Sequence, residues 1–341
     1  DATRAQGEPE HLEDRVKTLS PAALVAKRFF RSKLSMVGLV TLIVLFLFSF
    51  LGPVIYNKWD QNEADRSGMS LEDIRVVNYV DSEGNAQQAY EYMVATSDSL
   101  NSNALPGGDH ILGTDENGYD VFSRLMYGGR ISLTLGFVVV ILQSLFGVIL
   151  GGLAGYFGKW VDMLIMRISD IFACIPTLPI MLIISFVLQG RQVDAMTRLY
   201  VILAMLSLLG WAGVARMVRG QILSLREQEF MMAAEATGLS FGRKLFRHLL
   251  PNVLPQLIVS MTLGLGNVIL TEATLGYLGL GVPAEYATWG NMINVLTKPV
   301  GVWGQYPFQW VPTGICIVLA VLAFNFVGDG LRDAFDPKMK R

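Results

Sequence analysis

Apolar residues gather into stretches at 34–55, 131–156, 163–188, 199–218, 253–275 and 310–327. Each approaches the ~20 residues that a helix needs to cross a bilayer. The pattern predicts an all-α integral membrane protein with six transmembrane helices. The first stretch closes on Gly52-Pro53, and the third is interrupted by Pro176 and Pro179. Each of those prolines removes a backbone donor and can kink a helix. Ahead of the first stretch, Leu24, Val25, Phe29 and Phe30 share one helical face, with Lys27, Arg28 and Arg31 toward the other. Two readings fit: a short interfacial amphipathic helix, or the plain start of a longer first helix.

The polar intervals differ in kind. Residues 57–130 form one long acid-rich segment, in which Arg75 to Val80 and Tyr90 to Val94 have the composition of short strands. An irregular polar loop is the plainer reading. Residues 276–309 carry Trp289, Trp303 and Tyr306, with Trp310 following, as suits a membrane–water interface. Residues 1–20 are polar and mixed in charge, and predict a loose tail.

Composition agrees with the pattern. Of 341 residues, 52% are hydrophobic and 16% charged, and mean hydropathy is +0.43. A net charge of −2 gives no footprint for nucleic acid. Charge placement orients the chain. Lys27, Arg28, Arg31 and Lys33 precede the first span, and Arg216, Arg219, Arg226, Arg243, Lys244 and Arg247 lie between spans four and five. Arg332, Lys338, Lys340 and Arg341 follow the sixth. With six spans these share one side, which the positive-inside rule makes cytoplasmic. The expected organisation is a cytoplasmic tail and amphipathic helix (1–33), a first transmembrane helix (34–56), an extracytoplasmic insert (57–130), a core (131–331) and a cytoplasmic C-terminal tail (332–341). Both termini are expected inside, in a multi-pass cell-membrane protein.

Catalytic and metal signatures are missing from the sequence. It contains no Gly-x-x-x-x-Gly-Lys-Ser/Thr, no His-Glu-x-x-His and no Cys-x-x-Cys. Cys174 and Cys316 both fall in apolar spans and are expected to be small buried hydrophobes. Asp115-Glu-Asn-Gly-Tyr-Asp120 faintly resembles a calcium loop, but its glycine is misplaced, and a tight turn is the better expectation. The reading therefore has neither catalytic residues nor a metal site. Asp170, Pro176 and Glu272 stand out as candidate pathway residues, because ionisable groups and helix breaks within spans are expensive. Interfacial charges and a harmless kink are the alternatives. Gly147, Gly151 and Gly155 repeat every four residues on one face, as close helix packing requires.

One polar stretch, 219–252, separates spans four and five. Glu229 to Thr237 lacks Gly and Pro and contains three alanines, which predicts a short helix ended by Gly238. Ser240 is placed to cap a second helix, carrying Arg243, Lys244 and Arg247 and stopping before Pro251. Such a helix borne on two spans is a mechanical handle; a simple basic loop is the alternative.

Ala233, Ala234, Gly238 and Pro251 resemble in spacing the coupling loop of binding-protein-dependent ABC importer permeases. Met232 stands where that family's usual glutamate would be, with Glu235 nearby but out of register. Further segments are similar to the dipeptide/oligopeptide (peptide/nickel) branch: Leu112 to Asp120, Tyr127 to Leu133, Gly155-Tyr156, Asp162, Ile175-Pro176-Thr177, Val218-Arg219-Gly220, Leu278 to Gly281 and Asn325 to Pro337. The resemblance covers about 20–337 except an insert near 57–104 that looks longer than usual, and it favours the C-type subunit. It implies a type I importer permease arrangement, forming half of a channel with a homologous B-type permease in the lipid bilayer. Two ATP-binding subunits would carry ATP and Mg, this chain binding no cofactor, and an extracytoplasmic substrate-binding protein would deliver cargo. Phe230, Met232, Ala233, Ala234, Glu235 and Gly238 would dock on an ATPase, with Glu229 and Arg243 at the rim and Pro251 and Asn252 setting re-entry. Oligopeptides or dipeptides are the expected cargo, and nickel, glutathione or another small solute the alternative. A proton-coupled secondary transporter is more distant, since no acid or histidine relay is evident.

Overall fold

The computed structural model describes residues 21–56, 74–80, 86–92, 103–108, 110–191, 193–282 and 286–336. Both outermost tails and part of the acidic insert, including most of the stretch near 57–104 expected to be unusually long, lie outside the described residues.

Helix α1 (Pro21–Arg31) is separate from α2 (Lys33–Ile55) because Ser32 adopts extended backbone and caps α2. This decides between the two readings of the N-terminal segment. Phe29 is buried while Phe30 is exposed, so one face of α1 is docked. Strands β1 (Ile74–Val80) and β2 (Ala86–Tyr92) pair antiparallel, from Ile74 opposite Tyr92 to Val80 opposite Ala86. The first strand falls where composition predicts it. The second begins four residues earlier than Tyr90, because backbone pairing with β1 carries it through Ala86-Gln-Gln-Ala89.

Helix α3 (Val121–Phe157) begins ten residues before the expected span. Arg124 and Arg130 make its first turns look like loop, but Arg124 is buried and paired with Asp115 at 3.2 Å. Helices α4 (Lys159–Cys174) and α5 (Thr177–Gly190) bend by 73° at the Ile175-Pro176 break. The remaining long helices are α6 (Ala195–Arg226), α9 (Leu250–Tyr277) and α12 (Pro307–Phe335). Between α6 and α9 lie α7 (Glu229–Ala236) and α8 (Phe241–Lys244). Between α9 and α12 lie α10 (Trp289–Met292) and α11 (Val300–Trp303).

Helix directions fix the number of crossings. Gly147, Gly151 and Gly155 of α3 meet Val214, Ala215 and Arg219 of α6 in rising order, so α3 and α6 are parallel. The chain between them must cross once more, and neither α4 nor α5 alone reaches the ~20 residues of a full span. The bent pair is therefore one crossing, and the described helices make six. Gly38 and Ser35 of α2 meet Ala323 and Gly330 of α12. Arg28 donates to the Asp336 carbonyl at 3.0 Å, placing both ends of the described chain at one end of the bundle, termed the inner end.

The glycine stripe is a packing device. A Cβ on Gly151 would lie 2.9 Å from Ala215 Cα, and one on Gly155 would lie 3.0 Å from the Arg219 carbonyl oxygen. Lipid supplies no hydrophobic drive between helices, so close backbone approach does the holding. Leu133, Val139, Ile269, Leu275, Trp289, Ala320 and Phe324 belong to the main core shared by α3, α9, α10 and α12. Trp289 is fully buried, not interfacial, and donates through Nε1 to the Leu125 carbonyl at 3.1 Å. Trp303, Tyr306 and Trp310 are half-buried. Cys174 is exposed and Cys316 half-buried, contrary to expectation, because the helix faces that carry them are only partly covered by this chain.

Candidate functional site: a seated helix at the inner end

Helix α7 is short, and everything around it fixes its pose. Gln228 precedes it in extended conformation, and Glu229 in its first turn complements the helix dipole. At its other end Gly238 has φ +66°. Its N–H donates to Glu235 O at 3.0 Å, and Leu239 N–H donates to Ala234 O at 3.2 Å. This pair of bonds is the Schellman closure that a left-handed glycine permits. Gly238 thus ends the helix as the sequence predicts.

Two faces of α7 diverge. Met231 and Ala234, three residues apart, are both buried, and Met231 enters the inner core formed by Val218, Ile222, Leu245, Leu249, Val253 and Leu257. Burying Met231 stabilises the seat by about 1.5–3 kcal/mol. Glu229, Phe230, Met232, Ala233 and Glu235 face outward, with Phe230 39% and Met232 58% exposed. Of the two alanines, Ala233 lies on the free face and Ala234 on the seat. Lys244 reaches Glu235 at 3.4 Å and ties α7 to α8. Arg243, Pro251 and Asn252 are exposed.

The second loop helix does not stop before Pro251. Phe241–Tyr277 is one continuous helix with a π-turn at Leu245–Leu249. Leu250 N–H donates to Leu245 O within that turn, and the Asn252 side chain donates to His248 O at 2.7 Å. The wider turn changes the bonding register just where proline lacks its donor, so the helix continues. The same segment exposes Phe246 at 70%, beside the exposed Arg243 and Arg247 of its own helix. Its helical phase, opposite Leu245 and Leu249, was the available signal for it.

Three arginines brace the seat to the bundle. Arg226 donates to the carbonyls of Gly155 at 3.1 Å and Tyr156 at 2.7 Å, closing the end of α3. Arg219 grips Asp162 of α4 through both Nε and Nη2, the latter at 2.6 Å. Arg216 donates to Ser169 at 3.3 Å. These bonds tie α6, which leads into α7, to α3 and α4. Arg219→Lys is expected to lower the thermal stability of the purified protein by an amount equivalent to about 1 kcal/mol, since a lysine cannot replace a two-point grip. An unchanged melting temperature would remove the brace from the argument.

The candidate pathway residues are not gathered. Glu272 is buried near the opposite, outer end, accepting from Ser132 Oγ at 3.0 Å; that hydroxyl also accepts from Trp289 N at 3.1 Å. Asp170 is exposed on α4, and Pro176 sits at the α4–α5 bend. At the outer surface Asp115 accepts from the N–H groups of Asn117 and Tyr119, both at 2.9 Å, which makes 115–120 a turn. Burial raises its pKa above the usual carboxylate value, against the lowering pull of Arg124 and those N–H groups. Asp120 caps α3 through Ser123 N at 2.7 Å and also meets His110 at 2.8 Å.

Fold and site define a six-crossing membrane protein with a helical handle seated at one end. Residues 147–341 match the family of binding-protein-dependent transport system inner membrane components, and residues 20–71 match the N-terminal transmembrane domain of oligopeptide transport permease C. The chain belongs to this family of importer permeases, and is thus a multi-pass inner-membrane permease subunit. It is 35% identical to the oligopeptide transport system permease protein of Bacillus subtilis over 316 residues, 92% of this chain and 88% of that one. It is 42% identical to a dipeptide transport system permease protein of Alkalihalophilus pseudofirmus over 235 residues, 69% of this chain and 74% of that one. It is 40% identical to the nickel transport system permease protein of Escherichia coli over 234 residues, 69% of this chain and 81% of that one.

Proposed function

We propose that this subunit forms half of the channel of an ATP-driven importer of short peptides, with α7 as the helix through which an ATPase works it. The observation that carries the coupling role is the division of α7. A buried Met231–Ala234 side seats it against α6 and the Phe241–Tyr277 helix, while an open side offers Phe230, Met232 and Ala233 to a groove. On this reading the inner end is cytoplasmic and a homologous permease completes the channel. Two ATPase subunits carry ATP and Mg, and a binding protein delivers cargo at the outer end. Differential contact of α7 with the open and closed ATPase pair biases the bundle between two states.

Oligopeptide and dipeptide permeases among the relatives support peptide cargo, and the nickel permease supports a metal-ion alternative. The deciding experiment is ATP hydrolysis by the reconstituted complex with its binding protein. Short peptides are expected to stimulate turnover at least ~10-fold more than nickel does, a barrier lower by about 1.4 kcal/mol. Stimulation by nickel alone would overturn the cargo. A chain that purifies without ATPases would overturn the coupling role.

A further inference from the structure

Midway along the bundle, α3, α6 and α9 leave two adjoining hollows of about 270 and 250 Å³, which share Gln143, Gly210, Gly264 and Asn267. Polar groups line them: Gln143, Ser144, Thr177, Ser260, Asn267 and Thr271. None of the lining residues is Asp, Glu, Lys, Arg or His. The outward face of α2 is the contrast, with Val37, Val40, Val44, Leu47 and Leu51 exposed as a lipid-facing helix requires.

Three features separate these hollows from ordinary packing gaps. Ser144 is only 5% exposed, yet its hydroxyl has no hydrogen-bond partner. Thr134, Ser207, Thr262 and Thr271 all bond back to the carbonyl four residues earlier, the usual resting place of a helical hydroxyl. Ser144 makes no such bond, and it lines the larger of the two hollows. Asn267 exposes its side chain in mid-helix, and a bare amide facing hydrocarbon would cost several kcal/mol. Gly213 has nothing within 4 Å of a Cβ position, and Gly264 only Val140 at 3.8 Å, unlike the crowded Gly147, Gly151 and Gly155. These two glycines keep space open instead of bringing helices together. Gln143 donates through Nε2 to Leu206 O at 2.9 Å, which fixes its amide plane and leaves Oε1 as an acceptor.

We infer that Gln143, Ser144 and Asn267 form an intramembrane station that contacts the main-chain amides of a passing peptide. The inference rests on the importer reading and deepens it. Neutral amides and a hydroxyl match peptide N–H and C=O groups whatever the side chains, and offer neither the carboxylate nor the imidazole that would hold a bare divalent cation. Uncharged, dispersed partners also let the cargo leave, as conduction through any such site requires.

The test uses the whole transporter in proteoliposomes, with Cys174→Ser and Cys316→Ala as the parent and Asn267→Cys added. A charged, membrane-impermeant thiol reagent is expected to label this cysteine. Excess transported peptide is expected to slow the labelling by at least ~3-fold, as steric protection by an occupant predicts. Labelling by a lipid-soluble maleimide alone would place Asn267 in lipid and overturn the station, and labelling by neither reagent would bury it in a subunit contact and do the same. Asn267→Asp is expected to raise uptake of lysine-containing over glutamate-containing peptides on the order of tenfold. An unchanged ratio would overturn the contact. A parent whose ATPase fails to respond to peptide sinks the importer reading and the station with it. A responsive parent with an unreachable cysteine sinks the station alone.

Discussion

Phe230→Asp and Met231→Asp, one residue apart, are expected to fail in opposite ways. Phe230 is 39% exposed on the free face of α7 and Met231 is 1% exposed on the seat. A carboxylate at 230 remains in water, so the permease itself should lose no more than about 0.5 kcal/mol of stability. Its ATPase partner loses an aromatic anchor of the kind that dominates interfaces, worth about 2 kcal/mol or more, so ATPase binding should weaken by about 30-fold or more. A carboxylate at 231 must enter a cluster made by the apolar side chains of Ile222, Leu245, Leu249 and Val253. Burial of an unpaired charge costs several kcal/mol, so the inner end should open and the protein should melt early. Thermal unfolding of the purified permease, read beside co-purification of the ATPase, separates the two. Equal melting temperatures for the variants, or an ATPase retained by Phe230→Asp at wild-type level, would show that α7 is not divided as described.

Gly151→Leu carries the second large effect. The most extensive helix contact in the molecule is between α3 and α6, and Gly151 sits in its middle. A Cβ there meets the backbone of Ala215 itself, its Cα at 2.9 Å and its carbonyl carbon at 3.0 Å. Backbone in a packed helix cannot swing aside, so α3 and α6 must separate. The expected loss is about 1–3 kcal/mol, or outright failure to assemble. Ala215→Gly should not rescue it, because the obstruction is main chain. Gly328→Ala is the control: there the added Cβ meets the end of the Leu263 side chain, Cδ2 at 2.6 Å and Cγ at 2.8 Å, which can change rotamer. Expression of monodisperse protein and its melting temperature report both. Gly151→Leu with near-native stability, or rescue through Ala215→Gly, would contradict the close parallel contact from which the number of crossings follows.

Much of the coupling region was legible because its signals are local. An alanine-rich run without Gly or Pro, followed by Gly238, gives α7 and its closure within one residue, since capping depends on the backbone of a single turn. Pro251 misled for the same reason. Its local rule ends a helix, while the π-turn that carries Phe241–Tyr277 through it is held by the inner core around Leu245 and Leu249. Glu272 and Asp170 drew attention as intramembrane charge, yet Glu272 is buried at the outer end, accepting from Ser132, and Asp170 is exposed on α4. Gln143 and Asn267 are single amides in apolar runs, and nothing near either in the sequence sets it apart.

By itself the sequence determined six apolar stretches, the basic inner end, the short loop helix and the family's motifs. Lipid requires each span to satisfy its own backbone and show its own apolar run, so every span announces itself locally. Tertiary structure alone decided that Met231 faces in and Phe230 out, and that Trp289 is core instead of interface. It also decided that Gly151 closes a contact while Gly264 leaves a hollow. Those outcomes depend on which helix lies opposite, and residues that meet across α3 and α6 are separated by more than sixty positions along the chain.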